Sequence, residues 1–133
     1  MSFIPAKESK YYSRLIELGQ QNKLIGKLDD VEIVLLHYKT EDEAREKWKR
    51  RVERINWDRL LIKCTKQNGM TDEQVKDFDK LPFNHKMIFV PYQMPAISSA
   101  VVYKSDIREN QVWDDIIHFN RYINLTKWIN SCY

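Results

Sequence analysis

The segment VEIVLLHYKTEDEAREKWKRRVERINWDRLLIKCT, residues 31–65, passes from an apolar run through a densely charged one and back to an apolar run. Residues 31–38 are almost continuously apolar and rich in β-formers, the pattern of a strand covered on both faces. Thr40 and Glu43 then make a capping box, in which the hydroxyl accepts from a free helix-start amide while the carboxylate reaches back. Glu41, Asp42 and Glu43 meet the positive end of the helix dipole. Ala44, Trp48, Val52 and Ile55 follow as one apolar stripe. Asn56-Trp57-Asp58 closes the helix, and residues 59–65 (RLLIKCT) read as a second buried strand.

Downstream, the unit repeats in shorter form. Gln67-Asn68-Gly69 is a loop, Thr71 with Gln74 is a second capping box, and Val75, Phe78 and Leu81 form a stripe that stops at Pro82. KMIFV (86–90) is a third strand and AVVYK (100–104) a fourth. From about Asn110, the positions of Val112, Trp113, Ile116, Ile117 and Phe119 predict a helix, and Asn124 caps a last short helix carrying Leu125, Trp128 and Ile129. Upstream, residues 1–30 are a less regular lead-in. There Ser9 caps a helix with Tyr12, Leu15 and Ile16 that ends near Gly19, and Asp29-Asp30 splits two apolar stretches as in a hairpin. This order predicts a single α/β domain over residues 1–133. Its form is a three-layer, Rossmann-like unit with a mostly parallel sheet of about four strands flanked by helices.

Composition narrows the function classes. A chain of 133 residues supports one ordinary core. Its 22 basic residues nearly balance 19 acidic ones, for a net charge of +3, too even for a dedicated nucleic-acid protein. Cys64 and Cys132 have neither metal nor redox spacing, and no disulfide is demanded, so a reducing, cytoplasmic setting is expected. No apolar stretch is long enough for a transmembrane segment, and the N-terminus lacks the apolar core of a signal peptide. No cofactor motif is present, and His85 and His118 stand apart from any metal-ligand spacing.

In open α/β sheets, ligands bind beyond the carboxyl ends of the strands. The expected ends are His37–Thr40, Thr65–Asn68 and Pro91–Gln93. His37, with a near-neutral imidazole at a strand end, is the candidate acid or base. Lys39, Lys66 and Tyr92 are candidates for holding an anionic substrate, although the chain has no glycine-rich phosphate loop. Cys64 near the next strand end also allows a Cys–His pair, against the alternative of an inert buried thiol. On the charged helix, Arg51 falls beside the apolar stripe, with Arg54 flanking it. The Arg51 guanidinium there needs a protein carboxylate, a snorkelling path to water, or an anionic ligand.

One resemblance goes further than spacing. The combination His37-Tyr38-Lys39, Glu43-Ala44, Lys47-Trp48, Arg50-Arg51 and Arg54-Ile55-Asn56-Trp57-Asp58, followed by FDKLPFNHK and LTKWIN, closely resembles domain-of-unknown-function family 1919. The likeness covers about residues 9–131. Members of that family are labelled exopolysaccharide biosynthesis proteins. The resemblance implies an α/β fold and a role in bacterial surface-glycan assembly, as a transferase or an accessory for an anionic sugar or nucleotide-sugar. It supplies no catalytic residues. It also implies a longer architecture, of which this chain is the C-terminal portion. The alternative is therefore a non-enzymatic interaction module that pairs with itself or with a partner chain supplying the preceding segment.

Overall fold

The computed structural model describes residues 1–133, which form two compact units, Met1–Ile55 and Asn56–Tyr133. Each has its own sheet. In the first unit, β1 (Ser2–Ile4), β2 (Leu24–Leu28) and β3 (Val31–Leu35) form an antiparallel sheet in that order, with α1 (Tyr12–Glu17) between β1 and β2. Asp29-Asp30 makes the two-residue connection between β2 and β3, with Asp29 at a φ of 55°, so that Leu28 pairs with Val31 and Leu24 with Leu35. Ser9 has a different task from helix capping. Its buried hydroxyl donates to Glu32 Oε2 at 2.5 Å on β3, and accepts from the amide of Tyr11.

The charged helix is α2 (Glu41–Val52), capped by Thr40 as its sequence predicts: Thr40 Oγ1 accepts from the Glu43 amide at 3.2 Å. The return bond lands one residue early, from the Lys39 amide to Glu43 Oε2. Its apolar stripe is narrower than the spacing suggests. Ala44 is buried, Trp48 is half-buried and Val52 is exposed. Arg45 ties the helix to the first strand, donating to the Met1 carbonyl at 2.7 Å with its guanidinium over the Phe3 ring.

In the second unit, β4 (Ile62–Thr65), β5 (Lys86–Val90) and β6 (Ala100–Val102) form a parallel sheet with β5 in the middle. The crossover from β4 to β5 is α3 (Asp72–Lys80), which begins at a full capping box. Thr71 Oγ1 accepts from the Gln74 amide, and Gln74 Oε1 accepts from the Thr71 amide at 2.9 Å. It ends at Leu81, whose extended ψ of 139° is what Pro82 imposes on the residue before it. β5 is buried along Met87–Val90 because both faces are covered. Val75, Ile88, Val90 and Ile97 pack on the α3 side, joined by Cys64 and Phe78. Met87, Phe89, Tyr103 and Val112 pack on the other side with Phe119, Tyr122 and Trp128, the last from α4 (Leu125–Ser131). Full burial of Val75 alone is worth about 1.5–3 kcal/mol. Asn124 caps α4, as expected, by accepting from the Lys127 amide.

Two further expectations are corrected. The chain is mixed α/β, but a single sheet of about four mostly parallel strands does not form. β3 pairs antiparallel with β2, and the parallel sheet has three strands. A continuous apolar run reports that a strand is covered, not which strand it will pair with. The segment from Asn110 to Phe119 is also not a helix. It holds the end of a hairpin, β7 (Ile107–Arg108) and β8 (Gln111–Val112), and then turns. Glu109 and Asn110 both have positive φ, the backbone a two-residue hairpin loop of primed type requires. No helix is long and apolar enough to cross a membrane.

Candidate functional site

The carboxyl edge of the parallel sheet gathers the chemistry of the second unit. Lys66 follows directly on β4. Its amide donates to the Phe89 carbonyl, and its carbonyl accepts from the Val112 amide, so the β7–β8 hairpin closes over it. The Lys66 side chain is only 7% exposed. Its ammonium donates to the Asn110 carbonyl at 3.3 Å, stands 3.5 Å from Asp72 Oδ1, and lies 5.5 Å from the centre of the Tyr92 ring. The Tyr92 ring lies within ordinary cation–π range, but the two oxygen contacts are long for a buried cation, which needs close charged or hydrogen-bonding partners to offset lost hydration.

Asp72 is the first residue of α3 and is half exposed. It accepts a 2.5 Å bond from the Tyr92 hydroxyl just beyond β5. That bond, against a small opposing effect of burial and aided by Lys66, holds the Asp72 carboxyl below the ordinary carboxylate range. The same bond, with burial and the carboxylate charge adding to it, pushes the Tyr92 phenol up to about 12. Near neutral pH Asp72 is therefore a carboxylate and Tyr92 a protonated phenol, in one cluster with Lys66. The loop 67–70 closes it, with the Gly69 amide donating to Gln111 Oε1 at 2.6 Å; Gly69 has a φ of 82°, which only glycine adopts without strain.

A second polar group lies on the face of β4 opposite α3. Asp115 accepts from Lys63 Nζ and from the Thr65 hydroxyl. Burial works to raise the Asp115 carboxyl, but these two donors outweigh it and the carboxyl is lowered. Lys63 and Asp115 stand at a pocket of about 160 Å³ whose other walls are apolar, among them Met87, Phe89 and Phe119. Cys64 points the other way, into the α3-side cluster, where burial pushes its thiol up. That is the environment of an inert thiol.

Of the residues proposed from sequence to hold an anionic substrate, the structure brings Lys66 and Tyr92 together around Asp72. His37, Lys39, Arg51 and Arg54 lie in the first unit. His37 is exposed in the turn after β3, Lys39 is exposed beside the Thr40 cap, and Arg54 is exposed past the end of α2. Arg51 is exposed rather than set against a packed face, so its guanidinium reaches water, and the side chain it meets is a phenol rather than a carboxylate. Its Nη1 donates to the Tyr38 hydroxyl at 2.6 Å. No three His, Cys, Asp or Glu side chains converge as a metal ligand set.

A domain of unknown function, DUF1919, matches residues 2–131. The chain belongs to the DUF1919 family. It is 39% identical over 114 residues to an uncharacterised protein of Haemophilus influenzae, an alignment covering 80% of this chain and 55% of that protein. The chain thus spans about half the length of that curated relative. No solved structure matches it.

Sequence reasoning missed two residues of this DUF1919 chain, both acids. Asp72 follows the Thr71 cap that the sequence marks, and a capped helix start seven residues after the end of a strand, close to a strand-end lysine, was the available signal. Asp115 lay within the expected helix, and nothing local marks it as the partner of a strand fifty residues earlier.

Proposed function

We propose that this DUF1919 chain is a binding component of bacterial surface-glycan assembly that takes a phosphorylated or nucleotide-activated sugar at the carboxyl edge of β4 and β5. We read β4–α3–β5–β6 as a small Rossmann-like unit, which is why the ligand is placed beyond the strand ends. The observation that carries the reading is Lys66: a buried ammonium with one carbonyl at 3.3 Å and a half-exposed carboxylate at 3.5 Å. A phosphate oxygen would make a shorter charge-assisted bond than either. The half-exposed Asp72 carboxylate is open to accept from sugar hydroxyls. The family resemblance supplies the glycan setting.

The cluster favours binding over proton transfer. A general base works best with a pKa near the operating pH. Asp72 is displaced below the ordinary range, and Tyr92, at about 12, sits far above it. Any transfer reaction would draw its base from elsewhere.

Thermal-shift measurements at low salt against nucleotide sugars and sugar phosphates test the proposal. The expected outcome is stabilisation by at least one of them that Lys66→Met removes and that rising salt weakens. Stabilisation by none, or equal stabilisation of Lys66→Met, would overturn it. A second reading, an interaction module, is favoured by exposed Trp113, Ile116 and Ile117 in one short segment. Light scattering separates it: a concentration-dependent dimer that Ile116→Lys dissolves supports the module, and a monomer throughout opposes self-association.

A further inference from the structure

The opposite edge of the parallel sheet carries a second constellation. Trp57 and Asp58 lie in the short 3-10 turn ahead of β4, and Phe83, Asn84 and His85 lead into β5. These residues line a pocket of about 200 Å³. The two segments are drawn together by the sheet itself, since the Ile62 amide donates to the His85 carbonyl at 2.9 Å. Nothing derived above uses this pocket, and its argument does not depend on the reading of the carboxyl edge.

Three features of the lining point to one ligand chemistry. Trp57 is 64% exposed, in a turn whose backbone is fixed by the Arg59 amide donating to the Asn56 carbonyl. An indole held in water offers a flat apolar face together with an N–H donor. A lone exposed aromatic means little, but here it shares a cavity with a carboxylate, a carboxamide and an imidazole. Asp58 and Asn84 are exposed and His85 is half-buried, so their polar atoms are open to a ligand. The His85 ring packs against the Tyr133 ring, 5.4 Å between centroids, and the guanidinium of Arg59 is occupied over the Tyr133 ring at 4.3 Å.

No lysine or arginine lines the pocket, and its one formal charge is the Asp58 carboxylate. A phosphate would meet repulsion there. An organic cation would suit Trp57 and Asp58, but it would waste the donors of Asn84 and His85. A neutral ring bearing several hydroxyls uses all of them. Its C–H face stacks on the indole, while each hydroxyl both donates and accepts. The volume is below the roughly 300–1,000 Å³ of a drug-sized site, which limits the ligand to about one ring. We propose that Trp57, Asp58, Asn84 and His85 form a binding subsite for one residue of a neutral saccharide.

The test is 1H–15N NMR of the full chain titrated to millimolar concentrations with methyl glycosides of glucose, galactose and N-acetylglucosamine. The subsite predicts saturable shifts of the Trp57 indole N–H and the Asn84 side-chain amide with at least one glycoside. Trp57→Ala weakens that binding by about tenfold or more, and Asp58→Asn weakens it too, with the rest of the spectrum unchanged because both positions are exposed. Lys66→Met leaves it intact, so failure here is distinguishable from failure at the carboxyl edge. Absence of shifts with every glycoside, shifts that persist in Trp57→Ala, or saturation by tetramethylammonium in place of a sugar would each overturn the proposal.

Discussion

Asp79, near the end of α3, holds the chain that enters β6. Its carboxylate accepts from the amides of Ser98 and Ser99 at 3.1 and 2.9 Å, and from their hydroxyls at 3.1 and 2.6 Å. Ser99 is buried and Ser98 exposed. In Asp79→Ala, water replaces the acceptor for Ser98 at little cost, whereas the two Ser99 donors are left without one. At about 1–3 kcal/mol for each stranded buried donor, partly relieved by rearrangement, the expected loss is about 3 kcal/mol at pH 7. The carboxyl itself reports the same contacts. Burial works to raise it, but the four donors outweigh burial and bring it to about 2. Because the folded value lies below that of the unfolded chain, near 3.9, this stabilisation is present in full above about pH 5 and is lost as pH falls through 4 toward 2. The shift corresponds to between about 2 and 3 kcal/mol at most, less for the solvent that reaches a half-buried group, and roughly half of it is gone at pH 3. Urea denaturation of wild type and Asp79→Ala at pH 7, 5 and 3 measures the difference directly. A gap of about 3 kcal/mol that narrows by about 1 kcal/mol at pH 3 is expected. A gap that is constant with pH, or a variant as stable as wild type, would refute the reasoning.

Other consequences follow from single contacts. Thr71→Ala removes the capping box of α3 and should cost about 1 kcal/mol in urea denaturation, with Thr71→Ser close to wild type. In Tyr92→Phe, Asp72 loses the bond that lowers it most, so its carboxyl, followed by NMR against pH, should titrate at higher pH; an unchanged titration would contradict the assigned contact. Asp115→Ala leaves buried Thr65 and the Lys63 ammonium without their acceptor and should cost about 2 kcal/mol. Asp115→Asn should recover part of that loss.

Much of the second unit was readable in its sequence for identifiable reasons. Thr71 and Gln74 start α3 through contacts three residues apart, Pro82 stops it, and the unbroken KMIFV run marks a strand covered on both faces. What escaped was non-local. VEIVL carries no mark that distinguishes pairing with β2 from pairing with β4, and the Asp29-Asp30 turn was the one local clue to the hairpin. In the stretch after Asn110, Trp113, Ile116 and Ile117 mimic a helical stripe, yet all three are exposed. The turn residues Glu109-Asn110 carried the better information, because positive φ at both positions is what separates a hairpin from a helix there. The site followed the same division. Lys66 and Tyr92 were legible as strand-end residues, while Asp72 and Asp115, which set their environment and that of Lys63, depended on which segments meet in space. Arg51 was misplaced because the α2 stripe buries little beyond Ala44, leaving the guanidinium exposed beside Tyr38.

The central claim, that Lys66 at the carboxyl edge receives a sugar-linked phosphate, is tested most directly by mapping the binding of a nucleotide sugar such as UDP-glucose on the 1H–15N spectrum. The account predicts saturable shifts centred on Gln67, Asn68, Gly69 and Tyr92, lost in Lys66→Met while the rest of the spectrum stays in place. Shifts confined to other regions, or the same shifts in Lys66→Met, would contradict it.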